Sequence, residues 1–140
     1  MSLLMVTRFN NTTWEENKRW RETNEYEGCV YNSPVYIKEI VPLMITIYVI
    51  EMNNDTNKIL GIGKIINKVY TDKKYNIYEE RNYNRYTYRG STRIETTDEK
   101  IEKLQKRLFK GKSHLKRGQG ITQVPPDIIA SYYKYIEKLF

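Results

Sequence analysis

The middle of the chain carries the clearest pattern of apolar positions, and it predicts a β-hairpin. Residues 44–52 (MITIYVIEM) are rich in Ile, Val, Tyr and Thr, which favours a strand with two mostly apolar faces. A polar turn follows at residues 53–57, and residues 59–69 (ILGIGKIINKV) predict the returning strand. Gly61 and Gly63 share one face of that strand, which indicates a bulge, a sharp bend or the close approach of another backbone.

Helical patterns flank this hairpin on both sides. Residues 13–23 predict a first helix, with Thr13 and Glu16 as its capping box. A second capping box, formed by Thr96 and Glu99, predicts another helix after the hairpin. The apolar stripe of this second helix consists of Ile101, Leu104 and Leu108.

The segments around the second helix predict one more hairpin and one more helix. Residues 83–88 and 92–95 predict two strands joined through residues 89–91, and residues 121–124 predict a short strand. The run Pro125-Pro126-Asp127 is typical of a helix start. The buried face of this third helix is predicted to consist of Ile128, Ile129, Tyr132, Tyr133 and Ile136.

Together these elements predict a single α+β domain of residues 1–140, in which helices flank a small, strongly bent antiparallel sheet or barrel. The length is sufficient for one hydrophobic core. Residues 1–3 (MSL) are consistent either with native sequence or with a vector-derived addition.

The positive charge of the chain is concentrated in one segment. The chain has 24 Lys and Arg against 17 Asp and Glu, which gives a formal net charge of +7. Seven of the basic residues and none of the acidic ones fall within residues 103–117, so the rest of the chain is neutral. A focused excess of this kind predicts a docking site for a polyanion. The seven residues are Lys103, Lys106, Arg107, Lys110, Lys112, Lys116 and Arg117.

The first four of these cations lie opposite the apolar stripe of the second helix, and the last three extend into a flexible loop. Gly111 is a natural end for the helix. With Gly118 and Gly120, it would also let backbone N–H groups approach a phosphate. His114 is interpreted as a loop residue beside this anion site. The alternative is a solvated helix face with a disordered loop, although solvated faces usually mix both signs of charge.

Aromatic residues alternate with basic ones in the second predicted hairpin. This composition is typical of proteins that bind single-stranded nucleic acid, where bases stack on rings. The candidate residues are Tyr83, Arg85, Tyr86 and Tyr88. Trp14 and Trp20 are further candidates, as walls of an aromatic pocket for a flipped base. The structural alternatives are tyrosines that pack over the sheet and tryptophans that hold the first helix against it.

Patterns for catalysis, metal binding and membrane insertion are weak. One Cys and one His, Cys29 and His114, are too few for a zinc cluster, and Cys29 is interpreted as a buried thiol. GIGK at residues 61–64 lacks the spacing of a phosphate-binding loop. We therefore predict no catalytic residue, no metal and no cofactor. No apolar run approaches the roughly 18 residues that cross a bilayer, and the N-terminus lacks the order of a signal peptide, so we expect a soluble intracellular protein.

Three stretches resemble a small protein family of nucleocytoplasmic large DNA viruses: TWEENKRWRE (residues 13–22), VIEMNNDTNKILGIGKIINK (49–68) and LFKGKSHLKRGQGITQVP (108–125). This resemblance implies a viral protein in the host cytoplasm, in the nucleus or in the virion, but no established activity. A looser resemblance is to PUA-like domains, including the EVE and YTH groups, which bind RNA or modified bases. It implies a bent barrel with flanking helices, to which the long central hairpin is suited.

The sequence favours a non-catalytic domain that binds single-stranded RNA or DNA. The seven cations would neutralise phosphates and the tyrosines would stack on bases. If all seven cations bind one strand, the logarithm of the binding constant falls against the logarithm of the salt concentration with a slope of about −5. The alternatives are a viral structural or interaction protein with an acidic protein partner, and an enzyme that modifies nucleic acid.

Overall fold

The structure is a computed structural model that describes residues 1–140, and it confirms the α+β class. No helix in it is both long enough and apolar enough to span a bilayer. A short 3-10 helix, Arg81–Asn84, precedes the fifth strand. The other elements, in chain order, are β1 (Ser2–Phe9), α1 (Asn11–Thr23), β2 (Cys29–Ser33), β3 (Thr46–Asn53), β4 (Lys58–Ile66), β5 (Tyr86–Gly90), β6 (Thr92–Ile94), α2 (Glu99–Phe109), β7 (Thr122–Gln123) and α3 (Pro126–Lys138).

The strands form two sheets. Five of them make one sheet in the order β6-β4-β3-β1-β7, and β2 pairs with β5 in a separate two-stranded sheet. β1 and β3 run parallel, whereas every other pair is antiparallel, so the prediction of an antiparallel sheet is wrong at its centre. Neither sheet closes on itself, and a PUA-like barrel is therefore not confirmed.

β1 is the element that the sequence pattern did not reveal. It lies between β3 and β7, and Leu4, Met5 and Val6 are almost fully buried. Ser2 and Leu3 already pair with β3, so these residues are part of the sheet. Two parallel strands need a long crossover connection, here residues 10–45, and no local alternation announces such a distant partner.

The central hairpin of β3 and β4 is confirmed. The pairing register shifts between Glu51 and Met52, which is the bulge that the two glycines indicated. A Cβ atom at Gly63 would lie 2.1 Å from the hydroxyl oxygen of Tyr31 and 2.6 Å from Sγ of Cys29. At Gly61 a Cβ atom would lie 2.8 Å from the carbonyl oxygen of Ile94, so the bulge and the close approach of another backbone are both present.

The second predicted hairpin is wrong. β5 pairs with β2 and β6 pairs with β4, so the two strands belong to different sheets. A Cβ atom at Gly90 would lie 1.8 Å from the carbonyl oxygen of Lys64. Glycine therefore lets the end of β5 touch β4, and the chain changes sheets at Ser91 instead of making a tight turn.

The helices lie close to their predicted positions, but their caps differ. Asn10, with Thr13, forms the capping box of α1, so Thr13 and Glu16 do not. Asp98 rather than Thr96 caps α2. The predicted stripe of α2 is confirmed, because Ile101, Leu104 and Leu108 are buried. In α3, Ile128 and Ile136 are buried as predicted, Tyr132 and Tyr133 are half-buried, and Ile129 is exposed, contrary to the prediction.

The large sheet lies between two apolar layers, because alternate residues of β1 and β3 point to opposite faces. On one face, Met5 and Val49 belong to a cluster that β2, β5 and the residues around α1 complete. On the other face, Leu4 and Ile50 pack with α2 and α3. The loop of residues 110–121 connects α2 to β7 and therefore runs past the carboxyl end of β1.

Candidate nucleic-acid interface

The basic segment is real but partly neutralised. Lys103 lies 3.6 Å from the carboxylate of Glu99 on the same helix. Arg107 makes a closer pair with Asp127 at 2.7 Å, and it also donates to the carbonyl of Ser113. Its hydrogen bond to Asp127 raises the pKa of Arg107, and the same bond lowers the pKa of Asp127. The remaining five cations have no carboxylate within 4.0 Å: Lys106, Lys110, Lys112, Lys116 and Arg117.

The loop that carries three of these cations is tied to the rest of the fold by hydrogen bonds at Leu115 and Lys116. The N–H of Leu115 donates to the carbonyl of Leu108 at 2.7 Å. Nε of Arg8 donates to the carbonyl of Leu115 at 2.6 Å, and Nδ2 of Asn54 donates to the carbonyl of Lys116 at 2.8 Å. Leu115 also packs against the apolar cluster under α2. The backbone at Leu115 and Lys116 is therefore held at the ends of β1 and β3.

Arg8 lies at the carboxyl end of β1 and is mostly buried. Its Nε donates to the loop, and its Nη2 donates to the hydroxyl of Thr122 at 3.0 Å. Its Nη1 is buried and has no hydrogen-bond partner. Burial lowers the pKa of Arg8, and no carboxylate lies within salt-bridge distance to oppose that effect. Arginine stays charged in proteins, so this amino group is a buried cationic donor in need of an acceptor.

Asn54 provides the complementary atom. This residue follows β3 in the turn of the central hairpin, and its Nδ2 holds the loop through Lys116. Its Oδ1 is buried without a hydrogen-bond partner. The described chain has no other unpartnered buried side-chain nitrogen or oxygen besides this atom and Nη1 of Arg8. Buried polar atoms are almost always paired in folded proteins, so each exception needs an explanation.

Both residues line the same cavity, which has a volume of about 300 Å³. Its polar end comprises the carboxyl ends of the parallel strands, where open sheets with parallel strands usually bind ligands. Tyr31, Tyr78 and Tyr83 are among its lining residues, as are Gly118 and Gly120 of the basic loop. Of the three tyrosines only Tyr83 is exposed, at 41%, whereas Tyr31 and Tyr78 are buried. The two residues that carry unpartnered buried atoms therefore line one cavity, together with Tyr83 and two glycines of the basic loop.

Two loop glycines permit this arrangement. Gly118 has a φ of +128°, and a Cβ atom there would lie 3.1 Å from Cζ of Arg8. Gly120 has a φ of +72°, and a Cβ atom there would lie 2.5 Å from Oγ of Ser33. A side chain at either position would force the loop away from the cavity. Gly111 has a different role, since its φ of +82° ends α2 as predicted.

The residues predicted to stack on bases differ in how exposed they are to solvent. Tyr83 is 41% exposed and lines the cavity. Tyr86 is half-buried, and Arg85 is exposed with its Cζ 5.3 Å from the centroid of the Tyr86 ring. Tyr88 is only 2% exposed, and its hydroxyl accepts the N–H of Ile37. Tyr88 is therefore a core residue, and its prediction as a base-stacking residue is wrong.

The predicted aromatic pocket of Trp14 and Trp20 does not form. Trp14 packs against Phe9 with a centroid distance of 5.3 Å. Trp20 packs instead against Tyr26 and Tyr75, at centroid distances of 5.8 and 5.6 Å. The two tryptophans hold α1 against the first apolar cluster at separate places, which is the structural alternative for them.

His114 and Cys29 do not form a reactive pair. Nδ1 of His114 accepts the N–H of Lys116 within the loop. Cys29 is buried, its Sγ donates to the carbonyl of Lys64, and burial raises the pKa of its thiol to about 12. The two residues share no hydrogen bond, and no group of three or more His, Cys, Asp and Glu side chains is placed to hold a metal ion.

Sequence reasoning found the loop but missed the interior of the site. Arg8 and Asn54 carry no recognisable motif, because they lie 46 positions apart and meet only through the parallel pairing of β1 with β3. The available signal was an arginine at the end of the apolar run LLMV, which becomes informative only once that run is assigned to a strand.

These features define an α+β domain with an anchored basic loop over a polar-ended, tyrosine-lined cavity. No protein-family model, curated protein or solved structure matches the chain. The viral family and the host compartment, which the sequence resemblance implied, therefore stay predictions.

Proposed function

We propose that this protein is a non-enzymatic domain that binds single-stranded nucleic acid, with one base inserted into the cavity and the loop cations against backbone phosphates. The observation that supports this most directly is that the two residues with unpartnered buried atoms, Arg8 at Nη1 and Asn54 at Oδ1, line one cavity beneath the basic loop. A strand passing over the loop would place phosphates near Lys112, Lys116 and Arg117 while one base turns inward.

The unpartnered atoms favour a base over a phosphate as the occupant of the cavity. A phosphate oxygen would satisfy the donor of Arg8 but leave the carbonyl of Asn54 without a partner. Base edges present both donors and acceptors, and proteins read flipped bases through those edges and through aromatic walls. The volume of about 300 Å³ suits one small planar group.

An acidic protein partner accounts for less of the structure. Its carboxylates would pair with the loop cations, but they would leave Arg8, Asn54 and Tyr83 of the cavity without a role. Single-stranded nucleic acid accounts for both the charge and the cavity, because it carries phosphates and unpaired bases on one chain.

Fluorescence anisotropy with labelled random-sequence octanucleotides tests the proposal. Single- and double-stranded RNA and DNA are titrated over a series of salt concentrations. With five unpaired cations, we expect a log–log slope of about −3.5 for the preferred single strand, shallower than the −5 expected for seven. We also expect weaker binding to duplexes, whose bases are paired. Absence of binding at low salt, a slope near zero, or equal affinity for duplexes would reject the proposal.

A matched pair of variants separates the loop from general charge. The double variant Lys112→Glu with Arg117→Glu reverses two loop cations. The control, Lys18→Glu with Arg19→Glu, makes the same change in net charge on the exposed side of α1. We expect the loop variant to lose at least tenfold in affinity at low salt and the control to change far less.

A further inference from the structure

Outside the cavity, Tyr36 and Tyr86 form an exposed stack of two aromatic rings. Their ring centroids are 3.7 Å apart and their planes are inclined by 31°. Tyr86 belongs to β5, whereas Tyr36 belongs to the irregular segment after β2 and is 59% exposed. Tyr36 is stacked on Tyr86 but still has ring surface in contact with water. Packing of the core therefore does not account for its position.

The backbone on both sides of Tyr36 is fixed. Oγ of Ser33 accepts the N–H of Val35 and donates to the carbonyl of the same residue. On the other side, the N–H of Ile37 donates to the hydroxyl of the buried Tyr88. The ring of Tyr36 is therefore presented from an ordered position, so little conformational entropy is lost when a ligand stacks on it.

The residues just before Tyr36 in the chain lie at the cavity. Pro34, two positions before Tyr36, lines the cavity. Gly120, which also lines it, approaches Val35 so closely that a Cβ atom would lie 3.1 Å from Cγ2 of Val35. A nucleotide that leaves the cavity on this side meets the exposed ring next, and Arg85 beside Tyr86 adds a cation for its phosphate.

We propose that Tyr36, supported by Tyr86, is a second nucleobase subsite, on which the base next to the one in the cavity stacks. This inference rests on the proposed function and extends it from one nucleotide to at least two. Stacking tolerates every base because each has a π-face, so this subsite adds affinity and sets the minimum ligand length without adding sequence preference.

The neighbouring apolar side chains define the competing interpretation. Ile40, Leu43 and Met44 are 78%, 79% and 62% exposed, and with Tyr36 they would suit a protein partner. A protein partner would depend on these aliphatic side chains as much as on the ring. Binding of a nucleobase would depend on the ring alone. Variants of the ring and of the aliphatic side chains therefore distinguish the two partners.

The experiment compares Tyr36→Ala, Tyr36→Phe and Leu43→Ala with the parent protein, by titration with mononucleotides and with random-sequence oligomers of two, four and eight nucleotides. We expect Tyr36→Ala to bind tetramers and octamers about tenfold more weakly, and mononucleotides within twofold of the parent. Tyr36→Phe keeps the ring and is expected to stay within about twofold throughout. Leu43→Ala, which removes apolar surface beside the ring, is expected to match the parent.

Three outcomes would overturn the subsite: Tyr36→Ala equal to the parent with every oligomer, Tyr36→Ala equally weak with mononucleotides, or Leu43→Ala as damaging as Tyr36→Ala. A parent protein that binds no oligomer overturns the proposed function and this subsite together. If the parent protein does bind oligomers, Arg8→Met is titrated alongside Tyr36→Ala. It tests the proposed site in the cavity separately from the proposed subsite, because it leaves the ring of Tyr36 in place.

Discussion

Two arginines of this protein are largely buried, and they differ in how many hydrogen-bond acceptors surround them. Arg93 of β6 donates to both carboxylate oxygens of the buried Glu51, to Glu95 and to the carbonyl of Leu60. Arg8 of β1 has two backbone or hydroxyl acceptors, no carboxylate and one unpartnered amino group. The first guanidinium is fully used inside the fold, and the second is not.

The surroundings deepen this contrast. Glu51 also accepts the hydroxyl of Tyr31 at 2.6 Å, so the cluster around Arg93 is closed. Burial alone would lower the pKa of Arg93, but its hydrogen bonds to Glu51 and the charge of that carboxylate raise it. At Arg8 the effect of burial is unopposed. Each guanidinium nitrogen of Arg93 thus has an acceptor inside the fold, whereas Nη1 of Arg8, a residue that lines the cavity, has none.

The largest predicted effect comes from breaking the buried ion pair between Glu51 and Arg93. Glu51→Ala leaves Arg93 buried without its main partner and the hydroxyl of Tyr31 without an acceptor. Removing one partner of a buried ion pair typically costs about 3–5 kcal/mol, and we expect a loss in that range in the free energy of unfolding from urea denaturation. The control is Glu95→Ala, because Glu95 is 64% exposed and we expect its loss to cost less than about 1 kcal/mol. A loss at Glu51 no larger than at Glu95 would contradict the structural role.

The second prediction tests Arg8, the arginine with an unpartnered amino group. Arg8→Met keeps much of the volume of the side chain but removes two hydrogen bonds, so we expect a stability loss of about 1–2 kcal/mol, well below that of Glu51→Ala. Binding of single-stranded nucleic acid should fall at least tenfold, because the guanidinium that lines the cavity and holds the basic loop at Leu115 is gone. Parallel urea denaturation and anisotropy titrations measure the two effects. Unchanged binding by a folded Arg8→Met protein would remove the cavity from the proposed site.

The same contrast explains what the sequence could and could not predict. Glu51 pairs with Arg93, and Arg8 and Asn54 line one cavity. The two residues in each case lie more than 40 positions apart, and neither case has a local signature. Local patterns did predict the hairpin of β3 and β4, the stripe of α2 and the basic loop, since each depends on neighbours in the chain. The parallel strand β1 and the separation of β5 from β6 depend on tertiary contacts, and these were missed.

The aromatic residues show a second reason for the errors. Alternation places Tyr86 and Tyr88 on one face of β5 but does not say whether that face meets water. In the structure Tyr88 is buried with its hydroxyl accepting a backbone N–H, while Tyr86 supports the exposed ring of Tyr36. A tyrosine fits either environment because its ring is apolar and its hydroxyl is polar, so composition alone could not separate the two.

The third prediction extends the comparison to the surface, where Arg107 is paired and its neighbours are not. Asp127→Asn removes the carboxylate 2.7 Å from Nε of Arg107 and frees that cation for phosphate. We expect the salt slope of single-strand binding to steepen by up to about 0.7, the contribution of one cation. Anisotropy titrations over a salt series measure this. Glu95→Gln, which touches only the Arg93 cluster, should leave the slope unchanged, and an equal change in both variants would contradict the assignment.

The smallest predicted effect concerns Cys29, whose thiol lies in the same apolar layer as Tyr31. Burial is the main cause that raises its pKa from 9.0 to about 12, with the charge of Glu51 adding to the rise. A raised pKa means that the folded state favours the neutral thiol. This contribution is complete below pH 9 and is lost progressively as the pH rises toward about 12. Urea denaturation should therefore show a loss of about 1 kcal/mol between pH 8 and pH 10 that Cys29→Ala lacks. An identical pH dependence in both proteins would mean that the thiol is not held neutral by its burial, and the layer beside Arg93 would then be more open to water than its closed hydrogen-bond network indicates.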